Sequence, residues 1–492
     1  MRTLLNFCYL LLVVLSSPLS ANERSTAKVF DNIKTDPLLL RQFLYAFPKG
    51  GDLHNHIDGA IYAENMIAWA AADGLCVELD SMSFGLGPCD SENNRPSVAE
   101  IEDNADIVNK IIDAFSVRNY RHGGKSGSDQ FFSTFAKFFA ATFGREGDML
   151  DEVTRRAANQ NTYYLELMQS WNMGDARASV QQLDRQQELI EAAAIKTSAL
   201  IDEIEARRST LQNCGQSNAM KACQVQVRYL AQVLRSFSRD KVRAQTKLAV
   251  RLMQEDPRVV GLNFVAPEHD PTSLRDYSWQ MKMIAEEASV LPADKQNISL
   301  HAGELALGLV PPEELGFHVR EAVEVAGAKR IGHAVDIIYD QESKQLLEHM
   351  AQTPIAIEIN LSSNDVILNI SGDEHPFELF REYGVPLTLS TDDEGVSRID
   401  LTHEYQRAVE AYDLSYKDLK QFARNALEYS FLEGMSLFHN RASSSIRDEC
   451  RGASKKAERV DSVCTKFLAE NTKAMTQWQL EKKLIQFEAA QK

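Results

Sequence analysis

Basic side chains are scarce in this sequence: 53 Lys and Arg stand against 70 Asp and Glu, so the formal net charge is -17. Such a chain is unsuited to a nucleic-acid backbone, which is bound by basic surfaces that release counterions. Beyond residue 21 no segment is apolar enough to span a bilayer, and the sequence has no internal repeat or low-complexity linker. The 492 residues are 44% hydrophobic, which excludes disorder as the main state and predicts a globular protein.

The N-terminus has the three regions of a secretory signal peptide. Met1-Arg2-Thr3 is a short basic start, residues 7–15 form an apolar run, and residues 16–21 are mostly small. A membrane anchor is the alternative, but the apolar run is too short to cross a bilayer. The sequence therefore predicts a signal peptide over residues 1–21 and a secreted or periplasmic mature chain without membrane contact.

Six cysteines follow the predicted signal peptide, and an even number in an exported chain favours disulfides. Proximity along the chain suggests the couples Cys76 with Cys89, Cys214 with Cys223, and Cys450 with Cys464. Other connectivities are possible, and free buried thiols are the alternative for each couple.

Eight candidate strands, most of them short apolar or β-branched runs bounded by Gly, Pro, Asn or Asp, alternate with helical patterns. The runs are Lys49 to His56, Thr162 to Met168, Gln224 to Leu230, Val259 to Val265, Ile298 to His301, Arg330 to Ala334, Ile355 to Leu361, and Leu387 to Thr391. This alternation predicts an α/β fold, a single (β/α)8 TIM barrel domain over residues 22–492, rather than a doubly wound sheet.

Two stretches exceed the usual length of a connection. Residues 76–130, with glycine-rich turns, predict an enlarged loop after the first strand, on the catalytic side of the barrel. Residues 177–221, rich in Gln, Glu, Ala and Leu, predict an inserted helical hairpin that turns at residues 213–218. A C-terminal helical segment, Lys466 to Gln491, is amphipathic and is expected to pack on the barrel.

Four metal-ligating side chains stand at the ends of predicted strands. His54 and His56 alternate on one strand, so both point to the same face, which in a barrel is the interior mouth. His301 and Asp392 end two later strands. Three imidazoles and one carboxylate suit one Zn2+, although other divalent ions would also bind such a set. The strand Val259 to Val265 has no lysine that could bridge a second metal. Satisfied surface or core histidines are the alternative for an isolated His-x-His pair.

Three more polar residues follow the same strands. Glu304 comes just after His301 and Gly303, where a partly desolvated carboxyl would gain proton affinity and serve as a proton donor. His333 could orient a hydroxide, and Asp393 could accept a hydrogen bond from a substrate. Structural alternatives exist for each: a helix N-terminal glutamate, a core histidine and a helix N-cap.

Four motifs in this order resemble the adenosine deaminase family of the amidohydrolase superfamily. The signal peptide and the enlarged first loop are similar to its exported, growth-factor-like branch. The motifs are Pro48-Lys49-Gly50-Gly51-Asp52-Leu53-His54-Asn55-His56-Ile57-Asp58-Gly59, Ser299-Leu300-His301-Ala302-Gly303-Glu304, Arg330-Ile331-Gly332-His333-Ala334, and Ser390-Thr391-Asp392-Asp393.

The resemblance implies hydrolysis of adenosine or 2'-deoxyadenosine to the 6-oxo nucleoside and ammonia. Under it His54, His56, His301 and Asp392 bind the zinc ion, and Glu304, His333 and Asp393 are the catalytic residues. Glu304 protonates a ring nitrogen, and His333 positions the hydroxide. The substrate contacts it implies are His56, Asp58, Ala266, Gly303 and Asp393.

Two departures from the family pattern bear on the substrate. The family usually has Pro after the two aspartates, where this chain has Glu394-Gly395, and it commonly has Gly where this chain has Ala266. A deaminase of another aminopurine or amino-heterocycle therefore stays open, as does a secreted nucleoside-binding or signalling protein. The expected partner is a small purine nucleoside, and the long loop and helical insertion offer surfaces for a homodimer, which the sequence leaves undecided.

Overall fold

Eight parallel strands close into a barrel in this computed structural model, which describes residues 21–353, 355–440, 445–451 and 462–491. The predicted signal peptide, residues 1–21, lies outside the described residues except for Ala21. The strands, including a two-stranded hairpin after the first, are β1 Gly50–His56, β2 Cys76–Glu78, β3 Ser83–Gly85, β4 Thr162–Gln169, β5 Gln226–Leu234, β6 Val259–Val265, β7 Ser299–Ala302, β8 Arg330–His333, β9 Ala356–Ile359 and β10 Leu387–Leu389.

Two four-stranded parallel sheets form the barrel, β1-β4-β5-β6 and β7-β8-β9-β10. The parallel bridge Leu262 to Ile298 joins β6 to the start of β7, and the parallel bridge Asn55 to Asp392 joins β1 to the chain after β10. The eight strands thus follow one another around a closed ring, which confirms the predicted (β/α)8 barrel.

Helices fill the connections between the strands. They are α1 Ala21–Ile33, α2 Pro37–Ala46, α3 Ile57–Ala60, α4 Ala63–Ala72, α5 Val98–Ile101, α6 Ala105–Ala114, α7 Gly127–Thr142, α8 Glu146–Asn159, α9 Met173–Ser179, α10 Gln186–Leu211, α11 Arg239–Glu255, α12 Pro271–Ala288, α13 His318–Glu324, α14 Ser343–Gln352, α15 Leu361–Leu368, α16 Phe377–Tyr383, α17 Glu394–Ser397, α18 Leu401–Ala411, α19 Tyr416–Glu428, α20 Ser462–Glu470 and α21 Thr472–Ala490. Throughout the described part of the chain, each helix is too short or too polar to cross a membrane.

Local sequence determines where several of these helices begin. The Asp270 carboxylate accepts from the N–H groups of Thr272 and Ser273, and Pro271 occupies the first position of α12, where a missing N–H costs nothing. Ser415 and Asp418 form a reciprocal capping box at the start of α19. These caps satisfy N–H groups that a helix cannot bond internally.

The long connection from β1 to β4 contains the β2–β3 hairpin and the helices α3 to α8. Cys76 and Cys89 form a disulfide across the hairpin region. Disulfides also join Cys214 to Cys223 and Cys450 to Cys464. All three couples suggested by proximity are therefore confirmed.

Residues 177–221 do not form the predicted helical hairpin. They contain one long helix, α10, preceded by the end of α9 and followed by a turn that leads almost directly into β5. Lys221–Gln224 forms only a short 3-10 turn. The expected second arm has no room, because β5 begins at Gln226 and the disulfide at Cys223 fixes the turn.

The C-terminal segment packs on the barrel exterior as predicted, but as two helices. Asn471 separates α20 from α21, since its side chain accepts from the N–H of Met435 and donates to the carbonyl of Phe467. The Phe487 ring of α21 lies 5.0 Å from that of Phe43 and 5.7 Å from that of Phe47. The last helix thus fixes the N-terminal helices to the barrel.

Candidate active site

Four buried side chains converge at the carboxyl ends of the barrel strands. The Nε2 atom of His301 lies 3.1 Å from that of His54 and 3.2 Å from that of His56. The Oδ1 atom of Asp392 lies 3.4 Å from His54 Nε2 and 3.2 Å from His56 Nε2. The structure therefore brings together all four residues that the sequence analysis assigned to a metal.

Each of the three imidazoles is oriented by an oxygen acceptor on its other nitrogen. Glu358 Oε2 lies 2.7 Å from His54 Nδ1, Gln232 Oε1 lies 2.7 Å from His56 Nδ1, and Asn263 Oδ1 lies 3.0 Å from His301 Nδ1. The amide orientations are themselves fixed, because Gln232 Nε2 donates to Ser170 Oγ and Asn263 Nδ2 donates to the Ser299 carbonyl. Each imidazole therefore carries a proton on Nδ1, which leaves Nε2 as the atom that can bind a metal.

A divalent metal fits this arrangement. Unprotonated nitrogens about 3 Å apart would repel without a cation between them. In a tetrahedral site with bonds of about 2.0–2.1 Å, neighbouring ligand atoms lie about 3.3–3.4 Å apart, close to the separations seen here. The donor set would be three imidazoles, neutral when they bind the metal, and one carboxylate, and each imidazole has its outer oxygen partner.

Glu304 lies beside this cluster on a loop that a second glutamate holds. Glu268 is buried, and its carboxylate accepts from the N–H of Gly303 at 3.0 Å and from the N–H of Glu304 at 2.7 Å. His318 Nδ1 lies 2.5 Å from the same carboxylate, and the His318 ring stacks on Tyr277. The Glu268 carboxylate therefore holds the backbone of the Glu304 loop in place.

The Glu304 side chain itself is buried, and within the described structure its Oε1 atom has no hydrogen-bond partner. Burial raises the pKa of this carboxyl well above its ordinary value, and the charges of Asp392 and Glu268 raise it further. A protonated carboxyl with an unused oxygen can donate a proton to a bound molecule.

His333 is neutral, and a chain of hydrogen bonds fixes its tautomer. Phe377 N–H donates to His375 Nδ1, so His375 Nε2 carries the proton and donates to Asn364 Oδ1. Asn364 Nδ2 then donates to His333 Nδ1 at 2.9 Å. Burial lowers the pKa of His333 to about 4. Its remaining proton is therefore on Nε2, which faces Asp392 Oδ2 across 4.0 Å.

Asp393 occupies the N-cap position just before α17, but its side chain does not cap that helix. Its Oδ1 atom is buried and without a partner among the described residues. Burial raises the pKa of the carboxyl well above its ordinary value. Gly59 permits this position, because a Cβ at Gly59 would lie 1.6 Å from Asp393 Oδ1. Asp393 is thus free to bind a substrate atom.

A cavity of about 920 Å³ opens above these groups. Its polar floor includes His56, Glu304 and Asp393, and Asp58 lies at its side, where Gln169 Nε2 donates to Asp58 Oδ1 at 3.1 Å. Helix α7 supplies an aromatic wall of Phe131, Phe132, Phe135, Phe138 and Phe139. Such a mostly apolar pocket with a few convergent polar groups suits a flat heterocyclic ligand.

Comparison with known families agrees with this geometry. A family model described as adenosine deaminase matches residues 150–437, more than half of the chain. The chain belongs to the adenosine deaminase family.

Curated relatives match a smaller part of the chain. Adenosine deaminases of Escherichia coli and Salmonella typhi are 37% and 38% identical to it over 137 residues. This alignment covers 28% of the chain and 38% of each relative, so the chain spans little more than a third of their length.

Two solved structures share the fold. Adenine deaminase from Arthrobacter aurescens superposes with a TM-score of 0.52 at 14% identity, over 78% of this chain and 94% of that one. The N6-mAMP deaminase of Arabidopsis gives a TM-score of 0.51 at 20% identity, over 80% of this chain and 96% of that one. At these identities the likeness shows the barrel fold alone.

Ala266, where the adenosine deaminase family commonly has glycine, lines the cavity with a backbone φ of 117°. Residues other than glycine rarely adopt this conformation, which costs of the order of 1–3 kcal/mol. The chain therefore keeps the backbone shape that suits glycine although it carries a methyl group there.

Replacing Ala266 with Gly is expected to raise the free energy of unfolding by about 1 kcal/mol, because relief of strain exceeds the entropy that glycine adds to the unfolded chain. Denaturant titration measures the change. The matched control is Ala356→Gly in β9, a buried alanine of ordinary φ, which should lower stability by about 1 kcal/mol. Equal losses in the two variants would contradict the strain at Ala266.

The substrate contact assigned to Gly303 is not available through its N–H, which donates to Glu268. Gly303 has a φ of 77°, and a Cβ there would lie 2.4 Å from Asp336 Oδ1. Its role in the structure is the turn that carries Glu304, because glycine alone fits this space without strain.

Sequence reasoning missed the residues that orient the site: Glu358, Gln232, Asn263, Asn364 and Glu268. Glu358 and Asn263 did carry a signal, since each is a lone polar residue inside an apolar barrel strand. A polar side chain at such a position must point to a partner in the barrel interior.

Proposed function

We propose that this protein is an exported zinc-dependent deaminase that hydrolyses adenosine or 2'-deoxyadenosine to inosine or 2'-deoxyinosine and ammonia. The observation that carries the proposal is the joint geometry of the site. Four converging ligand atoms lie beside two buried carboxyl groups, Glu304 and Asp393, each with an oxygen that has no hydrogen-bond partner among the described residues. Family membership and the size of the cavity support the same reaction.

His54, His56, His301 and Asp392 would hold the metal. Zinc is the best match, because it favours nitrogen ligands and tetrahedral geometry, and it supplies a hydroxide nucleophile near neutral pH. His333 faces the same space with its Nε2 proton and orients the attacking oxygen.

Glu304 performs the proton transfer to the purine ring. In the overall reaction water oxygen bonds to the carbon that carries the amino group, the neighbouring ring nitrogen is protonated, and the amino nitrogen leaves as ammonia. The raised pKa of Glu304 keeps a proton available at its carboxyl. Asp393 binds another ring nitrogen and Asp58 contacts the ribose.

The test is turnover by the purified full chain. Adenosine, 2'-deoxyadenosine, adenine and AMP are compared by loss of the adenine absorbance band and by release of ammonia. The proposal predicts fastest turnover of the two nucleosides. Preference for adenine or AMP would show that the substrate is a different aminopurine. Binding of adenosine without ammonia release by zinc-loaded protein would support a binding or signalling role instead.

Three disulfides support the proposed export, because such bonds persist in oxidising compartments. The N-terminal segment that resembles a signal peptide, and the long loop after β1, support membership in the growth-factor-like branch. N-terminal sequencing of protein recovered from the medium or periplasm tests export, and an intact residue 1–21 segment on intracellular protein would contradict it.

A further inference from the structure

We propose that Arg156 and Glu394 form a positioning pair that holds the turn of the metal ligand Asp392 against the strand of His54 and His56. The inference rests on the metal site of the proposed function. It does not depend on which aminopurine is the substrate.

Three of the four ligands lie at the junction where the barrel closes. There β1 and the chain after β10 meet through the bridge between Asn55 and Asp392. The N–H of His56 donates to the Asp392 carbonyl, and the N–H of Asp392 donates to the His54 carbonyl, both at 2.9 Å. Since β10 ends at Leu389, regular pairing between β1 and the chain after β10 is limited, among the described residues, to this short contact.

Side chains reinforce the junction. Asn55, which lies between the two histidines, donates from Nδ2 to Thr391 Oγ1 at 2.9 Å and to Glu394 Oε2 at 3.4 Å. Thr391 in turn donates to Asp52 Oδ2 at 2.6 Å. Asn55 therefore connects the histidine strand to residues on both sides of Asp392.

Arg156 completes this connection from α8. Its NH1 donates to Glu394 Oε2 at 2.7 Å and to the Ala60 carbonyl at 2.8 Å. The guanidinium also lies 4.6 Å from the centroid of the Tyr62 ring. One cation therefore ties the residue that follows Asp392 and Asp393 to the chain that follows His56.

This contact gives a structural reason for the departure from the family pattern. Proline at position 394 would have no carboxylate for Arg156 or Asn55. Gly395 allows the close approach that the pair requires, since a Cβ there would lie 1.9 Å from the Ile61 carbonyl oxygen. Glu394 is 4% exposed, so its charge must be compensated, and Arg156 provides that compensation.

The test is the zinc affinity of Glu394→Gln, measured by competition with a chromophoric chelator. We expect affinity to fall roughly 10–100-fold, as for other residues that orient metal ligands. Glu64→Gln is the matched control, because Glu64 pairs with Arg398 at 2.8 Å beside the same Tyr62 ring but outside this junction. Its affinity should equal that of the unmodified chain.

Melting temperatures of the metal-free variants separate positioning from a structural role. Reduced stability with unchanged zinc affinity in Glu394→Gln would overturn the proposal. If that variant does not fold, Arg156→Lys is measured in the same way, and unchanged affinity there has the same meaning. An unmodified chain that binds zinc without deaminating adenosine would contradict the proposed function and not this inference.

Discussion

Glu304→Gln is expected to lower the rate of adenosine deamination by a factor of about 10²–10⁴ while the chain stays folded and binds zinc as before. Glutamine has nearly the shape of the protonated acid, but its amide does not give up a proton. The Glu304 loop should keep its position, because Glu268 holds the backbone N–H groups and not the Glu304 side chain.

Steady-state kinetics of adenosine turnover measure this effect. The loss should fall on kcat and not on KM, because the proton transfer is needed in the transition state more than in binding. Glu313→Gln is the control, an exposed glutamate on the same connection, and it should retain full activity. Retention of most of the activity by Glu304→Gln would assign the proton transfer to another group.

The barrel could be predicted from the sequence because most of its strands are short, largely apolar runs that the fold buries. Such runs are hard to place elsewhere, and all eight predicted strands are present. Their ends were less well defined: β5 continues to Leu234, whereas β10 already ends at Leu389. Strand ends depend on where neighbouring strands stop pairing, and a single sequence does not contain that information.

The convergence of the four candidate metal ligands could be predicted for a related reason. Alternation along β1 forces His54 and His56 to one face, and a barrel brings all strand ends to one rim. The residues that orient these histidines could not be matched to their partners in this way. Glu358 meets His54, and Asn364 meets His333, only because the ring closes with a particular register and tilt.

The helical insertion shows what local sequence could not predict. Helix propensity correctly indicated a helix within residues 177–221, but it did not determine what packs beside it. Helix α10 lies against α8, α9 and α11, and not against a second arm of its own. Propensity is a local property, whereas the choice of neighbour depends on the buried faces of distant segments.

Removal of the metal is expected to abolish deamination, and adding zinc back should restore it. Chelation would leave three Nε2 lone pairs and the Asp392 carboxylate without the cation that joins them. Because the ion binds the folded chain and not the unfolded one, its loss should also lower the melting temperature. At free zinc about 1,000-fold above the dissociation constant, the expected stabilisation is about 4 kcal/mol.

Two variants distinguish the contribution of the ligand cluster from that of the acid. Glu304→Gln should show the same zinc-dependent rise in melting temperature as the unmodified chain, since Glu304 is not among the four converging ligands. Asp392→Asn should lose both that rise and the activity, because a neutral amide replaces the one anionic ligand. Calorimetry with and without zinc measures the rise in melting temperature of both variants, and adenosine turnover measures their activity. Full activity in thoroughly chelated protein, or an undiminished zinc response in Asp392→Asn, would show that these four residues do not hold the metal that the reaction needs.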